Sequence, residues 1–157
     1  MNKQEEEIYN LFYYSFFLIK MIHNIKFRVF VYENENLDDL AQAVLNILPE
    51  AEIEAEEAEG LTDNKIVILS GVVSKKRFTQ TFFNTLLESV DLKDLTRDLE
   101  RKIDDNGNWF LRFDKNDAIN EKLTIVDSGD AIHLKIKIAA YPARKDIAIE
   151  KLYSSFE

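Results

Sequence analysis

Residues 131–140 (AIHLKIKIAA) alternate sharply from 132 to 138. Ile132, Leu134, Ile136 and Ile138 are apolar, and His133, Lys135 and Lys137 between them are basic. Only extended chain sends successive side chains to opposite faces, so the pattern predicts a strand with one face in a core and one in solvent. The pattern recurs over 25–32 (IKFRVFVY). There Ile25, Phe27, Val29 and Val31 share one face, and Lys26, Arg28, Phe30 and Tyr32 the other. Two such strands require a sheet with one face covered by other apolar elements.

Helical spacing supplies the cover. Asn36 is a candidate N-cap, followed by Leu37, Leu40, Val44 and Ile47/Leu48 until Pro49 stops the helix. A second helix is expected over 74–90, with Phe78, Phe82, Leu86 and Val90 as its stripe. A third is expected over 91–103, with Leu92, Leu95, Leu99 and Ile103. Residues 142–156 read as a terminal helix opened by Pro142, with Ile149, Leu152 and Phe156 inward. Further strands are expected at 51–59 and 65–73, joined as a hairpin through a turn at 60–64. Others follow at 109–114 and, briefly, at 123–126; 104–108 (DDNGN) and 127–130 (DSGD) are turns. In the 109–114 strand Trp109, Leu111 and Phe113 face the core and Phe110 and Arg112 face away. Residues 115–120 read as one helical turn. The order β-α-β-β-α-α-β-(β)-β-α has no regular βαβ repeat. The fold class expected is α+β, a largely antiparallel sheet with helices packed on one face.

Residues 1–20 are treated apart from a single domain over 21–157. After an acidic start, residues 8–19 (IYNLFYYSFFLI) are almost wholly apolar. The run is too short for a membrane span, and its acidic flank is wrong for a secretory leader. Three readings stay open: an apolar helix buried against the domain or a second copy, a membrane-dipping segment, or an extension ahead of an original start at Met21. Self-association as a dimer or other homo-oligomer through residues 8–19 is expected, and no membrane span.

Composition removes several kinds of chemistry. There is no cysteine, which excludes disulfides, thiolate metal sites and a cysteine nucleophile, and fits a reducing cytoplasm. His23 and His133 are the only histidines, too few for a histidine metal centre. The four glycines form no phosphate-binding loop, and no serine sits in a nucleophile elbow. Asp104, Asp105 and Asn106 offer clustered oxygens but lack the distal glutamate of a calcium loop, so a hydrated turn is the simpler reading. The glutamates over 51–59 read as a solvated edge. No cofactor and no catalysis are expected.

The basic residues fall into two sets. Lys26, Arg28, Arg112, Lys135 and Lys137 lie on outward strand positions beside Phe30 and Phe110. Lys75, Lys76, Arg77, Arg144 and Lys145 form a second set, and Arg97, Arg101 and Lys102 lie along the third helix. If the strands are neighbours, cations and rings share one face, as a surface for phosphates and unpaired bases requires. Ordinary solvated charge explains the same residues. The formal net charge of −9 counts against simple coating of nucleic acid.

Four stretches resemble an archaeal family of predicted RNA-binding, exosome-associated proteins: IKFRVFVYENE, LNILPEAEIEAEEAEG, ERKIDDNGNWFLRFDKNDA and DAIHLKIKIAAYPARKDIAIEKL. The similarity runs in order over residues 22–153 and excludes residues 1–20. Its most specific parts are 104–115, a turn followed by LRFDK, and the strand end at 140–143. The resemblance implies a fold like the ribosomal protein that binds 5S ribosomal RNA; the family is also described as having a double-stranded-RNA-binding-type fold. It also implies RNA binding without catalysis, in RNA processing or degradation. Within LRFDK a structural role is expected, with Asp114 capping the next turn and Arg112 pairing with it. The alternative is a protein-interaction adaptor that docks other chains through the acidic strand and the aromatic N-terminal segment.

Overall fold

The computed structural model describes residues 2–8, 20–60 and 64–156. The apolar segment expected to drive self-association lies, apart from exposed Ile8, outside the described residues, as does most of the turn at 60–64. In chain order the elements are β1 (Ile22–Val31), α1 (Leu37–Ile47), β2 (Glu54–Glu59), β3 (Lys65–Val73), α2 (Lys76–Ser89) and α3 (Leu92–Thr96). Then come α4 (Leu99–Lys102), β4 (Asn108–Phe113), α5 (Lys115–Ile119), β5 (Ile132–Ile138) and α6 (Lys145–Phe156). The five strands form one sheet in the order β2-β3-β1-β5-β4, every neighbour antiparallel.

The registers sort the side chains by face. Ile25 stands between Val73 and Ile136, Phe27 between Gly71 and Leu134, and Trp109, Leu111 and Phe113 oppose Ile136, Leu134 and Ile132. All except Gly71 are buried, and with Phe82, Phe83 and Leu86 of α2, Leu40 and Val44 of α1, and Leu152 of α6 they make the core. Each large apolar side chain taken from water stabilises the fold by about 1.5–3 kcal/mol, so this layer sets the architecture. Gly71 is required at its place. A Cβ there would lie 2.5 Å from the Glu52 carbonyl oxygen and 2.6 Å from Cζ of Phe27, whose ring crosses the bare backbone.

Local signals act as read. The Asn36 side chain accepts from Asp39 N at 3.0 Å and starts α1. Asp114 accepts from Asp117 N at 2.9 Å and caps α5. Asp104 Oδ1 accepts from the backbone N of Asn106 and Asn108, at 3.0 and 2.9 Å, and Gly107 (φ 79°) completes the turn into β4. Of the oxygens read as a cation site, those of Asp104 are thus engaged within the turn.

Other expectations are corrected. The helix read over 91–103 is two short helices, because Asp98 adopts left-handed φ 55° and breaks the hydrogen-bond ladder. Leu95 and Leu99 still reach the core, while Leu92, assigned inward, is 48% exposed. The strand at 123–126 reduces to a single bridge between Phe113 and Ile125. In α2 the buried stripe is Thr79, Phe82, Phe83 and Leu86, with Phe78 only half-buried. The terminal helix starts at Lys145, not at Pro142, and β1 starts at Ile22. Arg112 does not pair with Asp114; it forms no ion pair among the described residues.

Candidate nucleic-acid interface

The core takes one face of the sheet, and the opposite face is open. Register places its side chains in rows across the strands. One row runs Glu54, Ser70, Arg28, His133, Arg112 from β2 to β4. The next, two residues along, runs Val72, Lys26, Lys135, Phe110 from β3 to β4. Asn24, Lys137 and Asn108 make a third. The five sheet cations expected from the alternation therefore do share one face.

Like charges stand directly opposite one another where Lys26 faces Lys135, and the His133 ring lies between Arg28 and Arg112. Directly opposed like charges destabilise a sheet. Lys26, Arg28, Lys135 and Arg112 form no ion pair among the described residues. Their companions are aromatic. The Arg28 guanidinium lies 5.2 Å from the Phe30 ring centre and the Lys135 ammonium 5.9 Å from that of Phe110. Phe110 is 43% and Val72 54% exposed, so the face also carries apolar surface. Lys137 is held differently, its ammonium donating to the Asn106 carbonyl.

His133 reports the local field. Partial burial, then the Arg112 and Arg28 guanidiniums, push its imidazole below the usual histidine range, against the weaker pull of Asp130. It is therefore neutral at pH 7, and its protonation adds another cation to an already cationic row.

The face is the floor of an open concavity of about 1000 Å³. One wall carries Asp98, Arg101 and Lys102 with Val126 and Asp127; Glu52 and Glu54 line it from the β2 side. The break at Asp98 creates the first wall, since it ends α3 and begins the α4 turn that carries Arg101 and Lys102. Lys102 Nζ is shielded from water, 3.2 Å from Asp127 Oδ1 but outside hydrogen-bonding angles, and Arg97 reaches the other oxygen at 3.4 Å. Lys102 and the neighbouring arginines hold the Asp127 carboxyl below the usual range. Sequence reading placed Arg101 and Lys102 along a helix without connecting them to the strands, since that connection depends on the left-handed residue.

The second basic set does not join the groove. Lys75 and Arg77 lie over the Phe78 ring, at 5.7 and 4.9 Å, at the start of α2. Arg144 pairs with Asp146 at 3.2 Å and Lys145 with Glu100 at 3.4 Å, at the start of α6. Lys115 of the LRFDK stretch is a structural tie. It is 7% exposed, and its ammonium donates to Phe30 O (2.7 Å), Glu35 (2.9 Å) and Asp130 (2.6 Å).

Among the described residues no group of three or more histidines and carboxylates is placed to hold a metal, and no helix is long and apolar enough to cross a membrane.

The chain has relatives among known archaeal proteins. The chain is similar to an RNA-binding protein of Pyrococcus abyssi, 29% identical over 137 residues, covering 82% of this chain and 89% of that one. A DUF54 protein of Methanothermobacter thermautotrophicus superposes with a TM-score of 0.80 at 39% identity, over 87% of this chain and 99% of that one. A DUF54-model protein of Archaeoglobus fulgidus shares the fold, with a TM-score of 0.75 at 24% identity, over 85% and 98%. The protein-family model for RNA binding matches residues 24–138, from near the start of β1 to the end of β5, and the chain belongs to that family.

Proposed function

We propose that the protein binds RNA, without catalysing a reaction on it, through the open face of the sheet. The observation that carries this is the pair of rows in which Lys26 stands cross-strand from Lys135 and Arg28 and Arg112 flank His133, none of the four cations in an ion pair among the described residues. A face serving only solubility would set carboxylates beside its cations; here Glu54, at the far end of one row, is the sole carboxylate in the two rows, a deficit that phosphates would fill. The family match supports the ligand class. A cytoplasmic role in RNA processing or degradation, association with the exosome, kinship of the fold with the 5S-RNA-binding ribosomal protein, and self-association through residues 8–19 belong to the same proposal.

The test is RNA binding by the purified protein over a salt series, beside the Lys26→Glu/Lys135→Glu variant. Both side chains are exposed, so the variant should fold. Binding that weakens steeply with salt and falls at least tenfold in the variant is expected. Equal affinity in the variant would remove the sheet face. A second reading, a protein-interaction adaptor, draws on β2, an edge strand whose Glu54, Glu56, Glu57 and Glu59 are all exposed. Absence of RNA binding at low salt would favour it.

A further inference from the structure

We infer that the groove takes single-stranded RNA, with an unpaired base stacked on Phe110 and the backbone held toward α4 and away from β2. The inference rests on the RNA-binding reading and narrows its ligand.

Phe110 is the first reason. A phenylalanine 43% exposed on a solvent-facing row exposes apolar surface without benefit to the core. In a duplex the base faces are already stacked, and recognition runs through phosphates and 2′-hydroxyls; a stacking ring is useful only for a base free of a partner. Phe110 stands cross-strand from Lys135, which stands cross-strand from Lys26. The row of Arg28, His133 and Arg112 lies two residues further along, about 7 Å at the usual strand rise. One nucleotide can bridge that spacing, with its base on the ring row and its phosphate on the guanidinium row.

Shape is the second reason. The concavity of about 1000 Å³ is bounded on two sides. Five strands span about 19 Å between outer axes. The α4 turn, with Val126 and Asp127, raises a border beside β4 that obstructs the side-by-side backbones of a duplex more than a single strand.

The borders differ in charge, which sets the direction of the backbone. Beside β4, Arg101 and Lys102 are balanced by Asp98 and Asp127, whereas Glu52 and Glu54 line the β2 side with no ion pair among the described residues. Phosphates are repelled by the second border, so the backbone lies toward the first.

The experiment compares one RNA sequence, single-stranded and annealed as a blunt duplex, by fluorescence anisotropy at fixed salt. The proteins are the full chain, Phe110→Ala, Phe110→Tyr and Lys26→Glu/Lys135→Glu. The expected result is at least tenfold preference for the single strand, a loss near tenfold in Phe110→Ala confined to that strand, and retention in Phe110→Tyr. Circular dichroism and thermal unfolding would show that Phe110→Ala keeps its fold. Equal or tighter binding of the duplex, or an unchanged Phe110→Ala, would overturn the inference; the RNA-binding reading survives if charge reversal still abolishes binding. Failure of both RNAs to bind overturns both.

Discussion

Two residues show how single positions set stability and charge. At Gly71 a Cβ would meet a backbone carbonyl at 2.5 Å and the Phe27 ring at 2.6 Å. The carbonyl belongs to Glu52, in the chain entering β2, so relief needs movement of the segment beside the acidic border. Overpacking of this kind costs about 1–3 kcal/mol. Gly71→Ala should fall near the upper end, as a lower urea midpoint at unchanged slope. At His133 the folded pKa is depressed below the ordinary 6.5 by burial and by Arg112 and Arg28. The unfolded chain then binds the proton more readily in the window between the two values. Stability from neutral His133 is complete above pH 6.5 and is lost as pH falls through the folded value. RNA acts with the opposite sign. Phosphates beside the ring favour imidazolium, so affinity should rise as pH is lowered from 7.5 toward 5.5. His133→Gln should flatten both trends; an unchanged affinity profile would place the phosphates elsewhere.

Elements differed in how far they could be read ahead. Strands β1, β4 and β5 were legible because their inner faces are buried, and burial enforces strict alternation at Ile25–Val31, Trp109–Phe113 and Ile132–Ile138. Caps at Asn36 and Asp114 were legible because the interaction is local. The helix read over 91–103 failed for an identifiable reason. Leu95, Leu99 and Ile103 keep helical spacing across the break, and aspartate is among the few non-glycine residues that tolerate the left-handed region. Candidate residues were legible singly, as outward cations, but their assembly was not. Strand order puts β4 beside β5 rather than beside β3, a long-range choice with no local mark, and the wall at Arg101 and Lys102 needs Asp98. The backbone at Asp98 therefore has its own test. Asp98→Ala should cost up to about 1 kcal/mol, since alanine adopts the left-handed conformation less readily than aspartate. Asp98→Gly should cost little. If the α4 wall touches RNA, Asp98→Ala should also weaken binding beyond its effect on folding.

At the scale of the molecule, charge is segregated. Six cations and four carboxylates line the groove, an excess of two, while the chain carries −9, so the remainder carries −11. An acidic remainder disfavours coating and favours docking on the basic floor. Counterion release gives this a measurable form. Each phosphate neutralised on a single strand contributes about −0.7 to the slope of log affinity against log salt. Four contacts, from Lys26, Arg28, Lys135 and Arg112, give a slope of about −3. Screening has a second effect here: salt also weakens the repulsion from the acidic remainder, since the Debye length is about 10 Å at 0.1 M. The measured slope should therefore be somewhat shallower than the contact count implies. Lys26→Glu should reduce it by roughly one phosphate's share. Lys75→Glu, away from the groove at the start of α2, should lower affinity slightly through the net charge and leave the slope unchanged. The reverse pattern would move the interface from the sheet to the helix ends, where Lys75, Lys76, Arg77, Arg144 and Lys145 lie.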